Sequence, residues 1–274
     1  MAKDFLNKLE FAANKNRSLL CVGLDPDPER MPVRDLIEFN KMIIEATQDL
    51  VCAYKPNLAF YESLGIDGLH ALEATLSLIP SEIPVIGDAK RGDIGNTAER
   101  YARSMFEVWD FDATTVNAFG GFDSVEPFLD FYERGVLVWC HSSNSGSQDF
   151  QELILEGGIP FYMHMAQKLE TWRGEHQNLG MVVGATYPTE LEQIRKISPD
   201  SVILIPGVGA QEGELSAAVV SGVDSHGRRA IINSSRQVLY ASTDPSSYPS
   251  AARESAQILR QSINNALESV GKTW

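Results

Sequence analysis

Short apolar runs alternate with amphipathic stretches from one end of the chain to the other. The apolar runs are Leu19 to Asp25, Val51 to Asn57, Ile83 to Lys90, Ala113 to Phe119, Val136 to Ser142, Met181 to Thr186, Ser201 to Pro206 and Ala230 to Ser235. Each reads as a buried strand. Between them apolar residues recur at helical spacing, as in Leu36, Phe39, Ile43, Ala46 and Leu50, and again in Leu69, Leu72, Leu76 and Ile79. A final stretch carries Ala252, Ala256, Leu259, Ile263, Ala266 and Val270 on one helical stripe. Strand then helix, eight times over, predicts an α/β chain with a parallel sheet closed into a (β/α)8 barrel, a single domain over residues 1–274. An open doubly wound sheet shares the alternation. It usually carries a Gly-rich phosphate loop after its first strand, and Gly23-Leu-Asp25-Pro26-Asp27-Pro28 holds no such motif. The patches Ser142 to Ser147 and Ser242 to Ser250 are short enough to be barrel loops, not linkers.

Composition narrows the partners. With 274 residues, 43% hydrophobic and 22% charged, the chain has ample material for a core. A formal net charge of -14 argues against nucleic acid, although a small anion can bind where a few cations converge. No run approaches the length of a membrane span, and Met1-Ala-Lys-Asp-Phe lacks the apolar core of a secretory signal, so a cytoplasmic protein is expected. Cys21, Cys52 and Cys140 are odd in number, far apart and each within a predicted strand, which predicts buried, reduced thiols. The five histidines show no paired-ligand spacing, so no metal site is expected.

One stretch concentrates charge. Asp88-Ala-Lys90-Arg-Gly-Asp93-Ile94-Gly-Asn-Thr97 follows the third apolar run, and a helical stripe of Ala98, Tyr101, Ala102, Met105 and Trp109 follows it, predicting a helix from Thr97 to Trp109. Strand side chains alternate faces, so Asp88 and Lys90 are expected to point the same way. In a barrel of this kind chemistry gathers at the C-terminal strand ends. Those ends supply Asp25, then Lys55 and Asn57, then Asp88, Lys90 and Asp93, and later Ser143, Pro206, Ser235 and Arg236. Lys55, Asp88, Lys90 and Asp93 alternate in sign, which lets each buried charge keep an opposite partner. Loops after the seventh and eighth strands commonly bind phosphate. Here Pro206-Gly207-Val-Gly209-Ala-Gln211 offers backbone N–H groups, and Arg236 offers a fork of donors matched to phosphate oxygens.

The string DAKRGDIGNTAERYA closely resembles the signature of orotidine 5'-phosphate decarboxylases, in particular a bacterial branch with a longer chain. Supporting likenesses run through Cys21-Val-Gly-Leu-Asp25, Tyr54-Lys55-Pro-Asn57, Pro206-Gly-Val-Gly-Ala-Gln211 and Ser234-Ser235-Arg236. The resemblance implies conversion of orotidine 5'-phosphate to UMP and carbon dioxide, with no cofactor and no metal. It implies Lys90 as proton donor to C6, Asp88 beside the substrate carboxylate, Lys55 holding the charge network and touching the ribose, and Asp25 on the ribose hydroxyls. Asn57 joins the substrate-binding set, Ser143 addresses the pyrimidine, and Pro206, Gln211, Ser235 and Arg236 surround the phosphate. It further implies a homodimer in which Asp93, Ile94 and Thr97 complete the neighbouring site. Two departures stand out. Relatives usually read Thr-Ser-Asn-Pro-Gly-Ser where this chain has Ser142-Ser143-Asn144-Ser145-Gly146-Ser147, and Asn-Pro-Tyr where it has Asn117-Ala118-Phe119.

Three other readings stay open at this stage. Metal-dependent sugar-phosphate decarboxylases or epimerases on the same barrel place a glutamate at the strand-two position, where Lys55 would repel a cation. A Schiff-base aldolase needs a lysine activated by desolvation or a cationic neighbour, which carboxylates around Lys90 do not supply. The third is a non-catalytic barrel that binds a phosphate ligand.

Overall fold

The computed structural model describes residues 4–208 and 212–274. Every expected strand is present: β1 (Leu20–Gly23), β2 (Ala53–Lys55), β3 (Ile86–Arg91), β4 (Ala113–Val116), β5 (Gly135–His141), β6 (Leu179–Val183), β7 (Ile203–Pro206) and β8 (Ala230–Ser234). They hydrogen-bond in parallel in the order β2-β1-β8-β7-β6-β5-β4-β3. Parallel bridges Tyr54↔Val85 and Asn57↔Asp88 then bring β2 against β3 and complete a barrel. This seam between β2 and β3 carries Lys55, Asp88 and Lys90.

Each strand sends one apolar side chain into the lower half of the barrel: Cys21, Ala53, Ile86, Ala113, Leu137, Val182, Leu204 and Ile231. Phe5, Leu9 and Ala13 pack onto this layer from the helix Phe5–Asn16, which lies before β1 and which the apolar pattern had not singled out. Asp4 starts that helix by accepting a hydrogen bond from Leu6 N, satisfying one of its free amide groups. The opposite strand faces, including Val22, Tyr54, Val138 and Ile205, pack against Phe39, Ile43, Leu72, Ala166, Leu191, Leu259 and Ile263 of the surrounding helices. Fully burying a side chain of this kind contributes about 1.5–3 kcal/mol relative to leaving it exposed.

Several boundaries differ from expectation. β1, β2 and β4 stop before their apolar runs do, leaving Asp25, Asn57 and Phe119 in loops, because the ladder ends where the backbone turns toward the next helix. Cys52 precedes β2 instead of lying within it, yet all three thiols are buried and free. Burial pushes Cys21 and Cys140 up to about 12, which keeps them protonated and unreactive. The helix expected from Thr97 begins at Gly95, runs to Arg103, and widens into a π-turn over Ser104–Val108. That extra residue rephases the stripe, so Phe106 is buried beside Met105 while Trp109 is only partly covered. The last helix, Tyr248–Ser269, buries the expected stripe up to Ala266, whereas Val270 lies past its end and is exposed. Among the described residues no helix is long and apolar enough to cross a membrane.

Candidate active site

Two residues beyond the apolar layer, the next inward positions change character, reading Lys55 on β2, Asp88 on β3, Thr115 on β4, Trp139 on β5 and Asn233 on β8. The seam fixes the first pair. Asp88 N donates to Pro56 O at 2.9 Å, and this register sets Lys55 Nζ 2.8 Å from Asp88 Oδ2. Lys90 Nζ donates to Asp88 Oδ1 at 2.6 Å. Thr115 Oγ1 donates to the same oxygen at 2.8 Å and accepts from Lys90 N at 2.9 Å. One buried carboxylate therefore joins two ammonium groups and a hydroxyl.

Exposure separates the two lysines. Lys55 is sealed at 3%, while the Lys90 side chain is 36% exposed, with its Nζ 6.0 Å from the centre of the Trp139 ring. Lys90 thus reaches into the mouth and Lys55 lies behind it. Burial alone would raise the Asp88 carboxyl, but the ammonium groups of Lys55 and Lys90 outweigh it and hold Asp88 well below the usual carboxylate range. Burial alone would likewise lower Lys55. The Asp88 and Asp25 carboxylates reverse that and raise it above the usual lysine range.

Asp88 and Lys90 meet as expected, but through an irregular strand. The register with β4 shifts between Gly87 and Arg91, and Lys90 has φ 45, in the left-handed region. A non-glycine residue there costs on the order of 1–3 kcal/mol, and such strain collects at functional sites. Here the Thr115 hydroxyl pins the Lys90 amide in that conformation.

The remaining expected residues ring this centre. Asp25 Oδ1 accepts from Asn57 N at 3.1 Å, and Asn57 in turn caps the helix Leu58–Glu62 through Ala59 N. Gly207, with φ 85, faces Ser143: a Cβ at Gly207 would lie 3.0 Å from Ser143 Oγ. Pro206 ends β7 in register with Asn233. Ser235 lies against Gly23, where a Cβ would come within 1.9 Å of its hydroxyl oxygen, so only glycine permits the contact. Arg236 is exposed at the start of the short helix Arg236–Leu239. Gln211 lies outside the described residues.

Asp93 does not join the ion-pair set of its own chain. Its Oδ1 accepts from Ile94 N at 2.8 Å, and Asp93, Ile94 and Thr97 are all exposed on the rim. Ile94 is 59% exposed and abuts Gly120, beside Phe119 at 80%. Lys55, Asp88 and Lys90 are therefore brought together, and Asp93 stands apart.

Residues 18–250 match the family described as orotidine 5'-phosphate decarboxylase / HUMPS family. The chain belongs to this family. It is 48% identical over 265 residues to the orotidine 5'-phosphate decarboxylase of Dehalococcoides mccartyi, covering 95% of this chain and 97% of that protein. It is 46% identical over 272 residues to the enzyme of the same name from Herpetosiphon aurantiacus, covering 95% and 99%. A solved structure, that of Leishmania donovani OMP decarboxylase, superposes with a TM-score of 0.85 at 37% identity, covering 96% of this chain and 98% of that one.

Against that family background, the residues that sequence reasoning passed over include buried polar groups within the strands themselves. Thr115 is the clearest. Ala113-Thr-Thr-Val is an apolar strand with two hydroxyls, and a buried hydroxyl needs a partner, which Thr114 finds in Gly87 O and Thr115 in Asp88. His141 closes β5 and is a second such residue. It is buried between Tyr162 and Tyr187, with ring centres 4.3 and 4.5 Å away, and burial lowers its imidazole despite Glu152 and Glu190 nearby.

Proposed function

We propose that this chain decarboxylates orotidine 5'-phosphate to UMP and carbon dioxide, with Lys90 as the proton donor and no cofactor in the step. The observation that carries the reading is the buried Asp88 bridging Lys55 and Lys90 at the barrel mouth. When the bond from C6 to the carboxyl carbon breaks, the electron pair stays on C6. The Lys90 ammonium, already aimed into the mouth, stabilises that charge and then gives it a proton, to be replaced from solvent. A cation held in place by Asp88 before the reaction needs little reorganisation as the charge forms, which is how such groups lower a barrier. Mixing the purified chain with orotidine 5'-phosphate should bleach the orotate absorbance and yield UMP. Persistence of the chromophore at high protein concentration would refute the assignment.

The family description spans a second activity class, and Lys55 favours the first. An ammonium at the strand-two position, bonded to Asp88, repels a divalent ion from the place where a metal-dependent relative holds one. Turnover should therefore be unchanged by excess chelator. Loss of activity on chelation, restored by magnesium, would overturn this.

Asp25 and Lys55 face the ribose, Asn57 supports Asp25, and Ser143 meets the pyrimidine. Pro206, Gln211, Ser235 and Arg236 take the phosphate. Arg236→Ala should raise KM by roughly ten- to a hundredfold, the worth of a hydrogen bond to a charged group, with a smaller change in turnover at saturation. An unchanged KM would remove Arg236 from the phosphate site. A second copy of the chain completes the site by supplying Asp93, Ile94 and Thr97. Support comes from the exposed Ile94 and Phe119 on the rim and from Asp93 taking no ion pair with its own Lys90.

A further inference from the structure

The ends of β1 and β8 are knitted together by one phenol. Tyr240 follows the short helix Arg236–Leu239, and its backbone N donates to Arg236 O at 3.1 Å. Its side chain crosses to the loop after β1. There the hydroxyl donates to Asp25 O at 2.9 Å and accepts from Asp27 N at 2.7 Å. Both bonds connect residues 213 or more positions apart in the chain, so neither follows from local geometry. Two groups pack on the ring: Phe39 stacks on it with centres 6.1 Å apart, and the Arg30 guanidinium lies 4.2 Å from its centroid. Burial pushes the phenol up to about 12, so it stays a neutral hydroxyl, able to donate and accept at once, across the ordinary working pH range.

The path continues on either side of this hydroxyl. Asp25 Oδ1 takes the amide of Asn57 at the end of β2, and the Asp25 carboxylate is one of the charges that keeps Lys55 protonated. Ser235, immediately before Arg236, rests on Gly23, two residues before Asp25. Arg236 and Asp25 are thus joined through the Tyr240 backbone bond to Arg236 O, the tyrosine side chain and its hydroxyl bond to Asp25 O.

We propose that Tyr240 is a positioning residue that couples the phosphate-holding turn at Arg236 to the ribose-facing Asp25. This rests on the assignment of Arg236 to the phosphate and Asp25 to the ribose given above. The tyrosine touches no substrate. It sets the backbone of residues 25–27 so that the Asp25 carboxylate faces the ribose when the phosphate is gripped.

The test is Tyr240→Phe, which deletes one oxygen and keeps the ring stack. Removing two backbone hydrogen bonds should lower kcat/KM of the otherwise wild-type chain by about twenty-five-fold, since each contributes roughly fivefold. In an Asp25→Ala background the same exchange should have almost no further effect. A merely structural role would give the same factor in both backgrounds, and that result would overturn the proposal. The second measurement is the ratio of affinities for UMP and 2′,3′-dideoxyuridine 5'-phosphate, which does not depend on how much of a preparation is folded. Tyr240→Phe should shrink this ratio and leave competition by inorganic phosphate unchanged. The control Arg30→Met, which strips the stacked guanidinium but leaves the hydroxyl, should preserve the ratio. An unaltered ratio in Tyr240→Phe, beside a reduced one in Asp25→Ala, would overturn the coupling while leaving the ribose assignment intact. An unaltered ratio in Asp25→Ala would overturn the ribose assignment and the coupling with it.

Discussion

Asp88→Asn is expected to melt roughly 10 °C below wild type at pH 7 and to lose about a hundred- to a thousandfold in turnover. The asparagine keeps the shape of the aspartate but not its charge, so Lys55 becomes a buried ammonium with only the more distant Asp25 to compensate it. Breaking a buried pair by removing one partner costs about 3–5 kcal/mol, and a chain of this size loses roughly 2–4 °C for each kcal/mol. The catalytic loss follows from Lys90 Nζ, which loses its 2.6 Å anchor at the mouth, and removal of one preorganised charge or donor typically costs about 10²–10³ in rate.

The pH dependence distinguishes this mechanism from a general loosening. In wild type the Lys55 value is raised on folding, so its stabilisation is fully present below the unfolded value of about 10.4 and disappears only as pH rises through the folded one. Asp88 is depressed on folding, so its contribution is complete above about 3.9 and is lost only as pH falls through the folded value. Neither contribution varies between about pH 7 and 9.5. In Asp88→Asn, burial dominates at Lys55 and the folded value drops below the unfolded one. The unfolded chain then binds more protons, and stability rises with pH toward about 10.4. The melting gap between variant and wild type should therefore narrow from pH 7 to 9.5. A constant gap would show that the lost stability has another origin than an unpaired Lys55.

The barrel was legible because its signal is periodic: eight apolar runs, each returning after a helical stripe, with the charges placed at the run ends. The trio Lys55, Asp88 and Lys90 was legible for the same reason, since strand ends at one barrel mouth must converge. What the pattern could not carry was anything dependent on register across strands. Thr115 lies in mid-strand, and only the β3–β4 pairing brings its hydroxyl to Asp88. The left-handed Lys90 breaks the simple alternation that was expected to aim it, and no composition rule forecasts a positive φ at lysine. Tyr240 was read as nothing at all, because a tyrosine after a strand end is uninformative until β8 is known to lie beside β1. The helix Phe5–Asn16 was missed because its apolar spacing is diluted by Asn7, Lys8 and Glu10, and its partner surface is the barrel floor, not a neighbouring helix.

Lys90→Ala and Asp93→Asn homodimers are each expected to be nearly inactive, and mixing the two should restore activity. Within one chain Lys90 bonds to Asp88, while among the described residues Asp93 accepts from the adjacent Ile94 amide alone and sits on an exposed rim beside apolar Ile94. A carboxylate so placed does not complete its own chain's alternating set, and a second copy docking through that rim can take it into the neighbouring site. In each parent homodimer every site then lacks one member of the set. In the mixed dimer one site collects both defects, and the other pairs the intact Lys90 of the Asp93→Asn chain with the intact Asp93 of the Lys90→Ala chain. That second site is wild type in composition. Because random exchange of equal amounts makes about half the dimers mixed, with one working site in each, activity should approach a quarter of an equal amount of wild type, far above either parent. Exchange itself is followed by mass spectrometry of differently labelled chains. If mixed dimers form and activity stays at the parental level, Asp93 serves its own chain and the shared site is wrong. If no dimer forms while the wild-type chain is active, the site is complete within one copy, and Asp93→Asn should then leave turnover close to wild type.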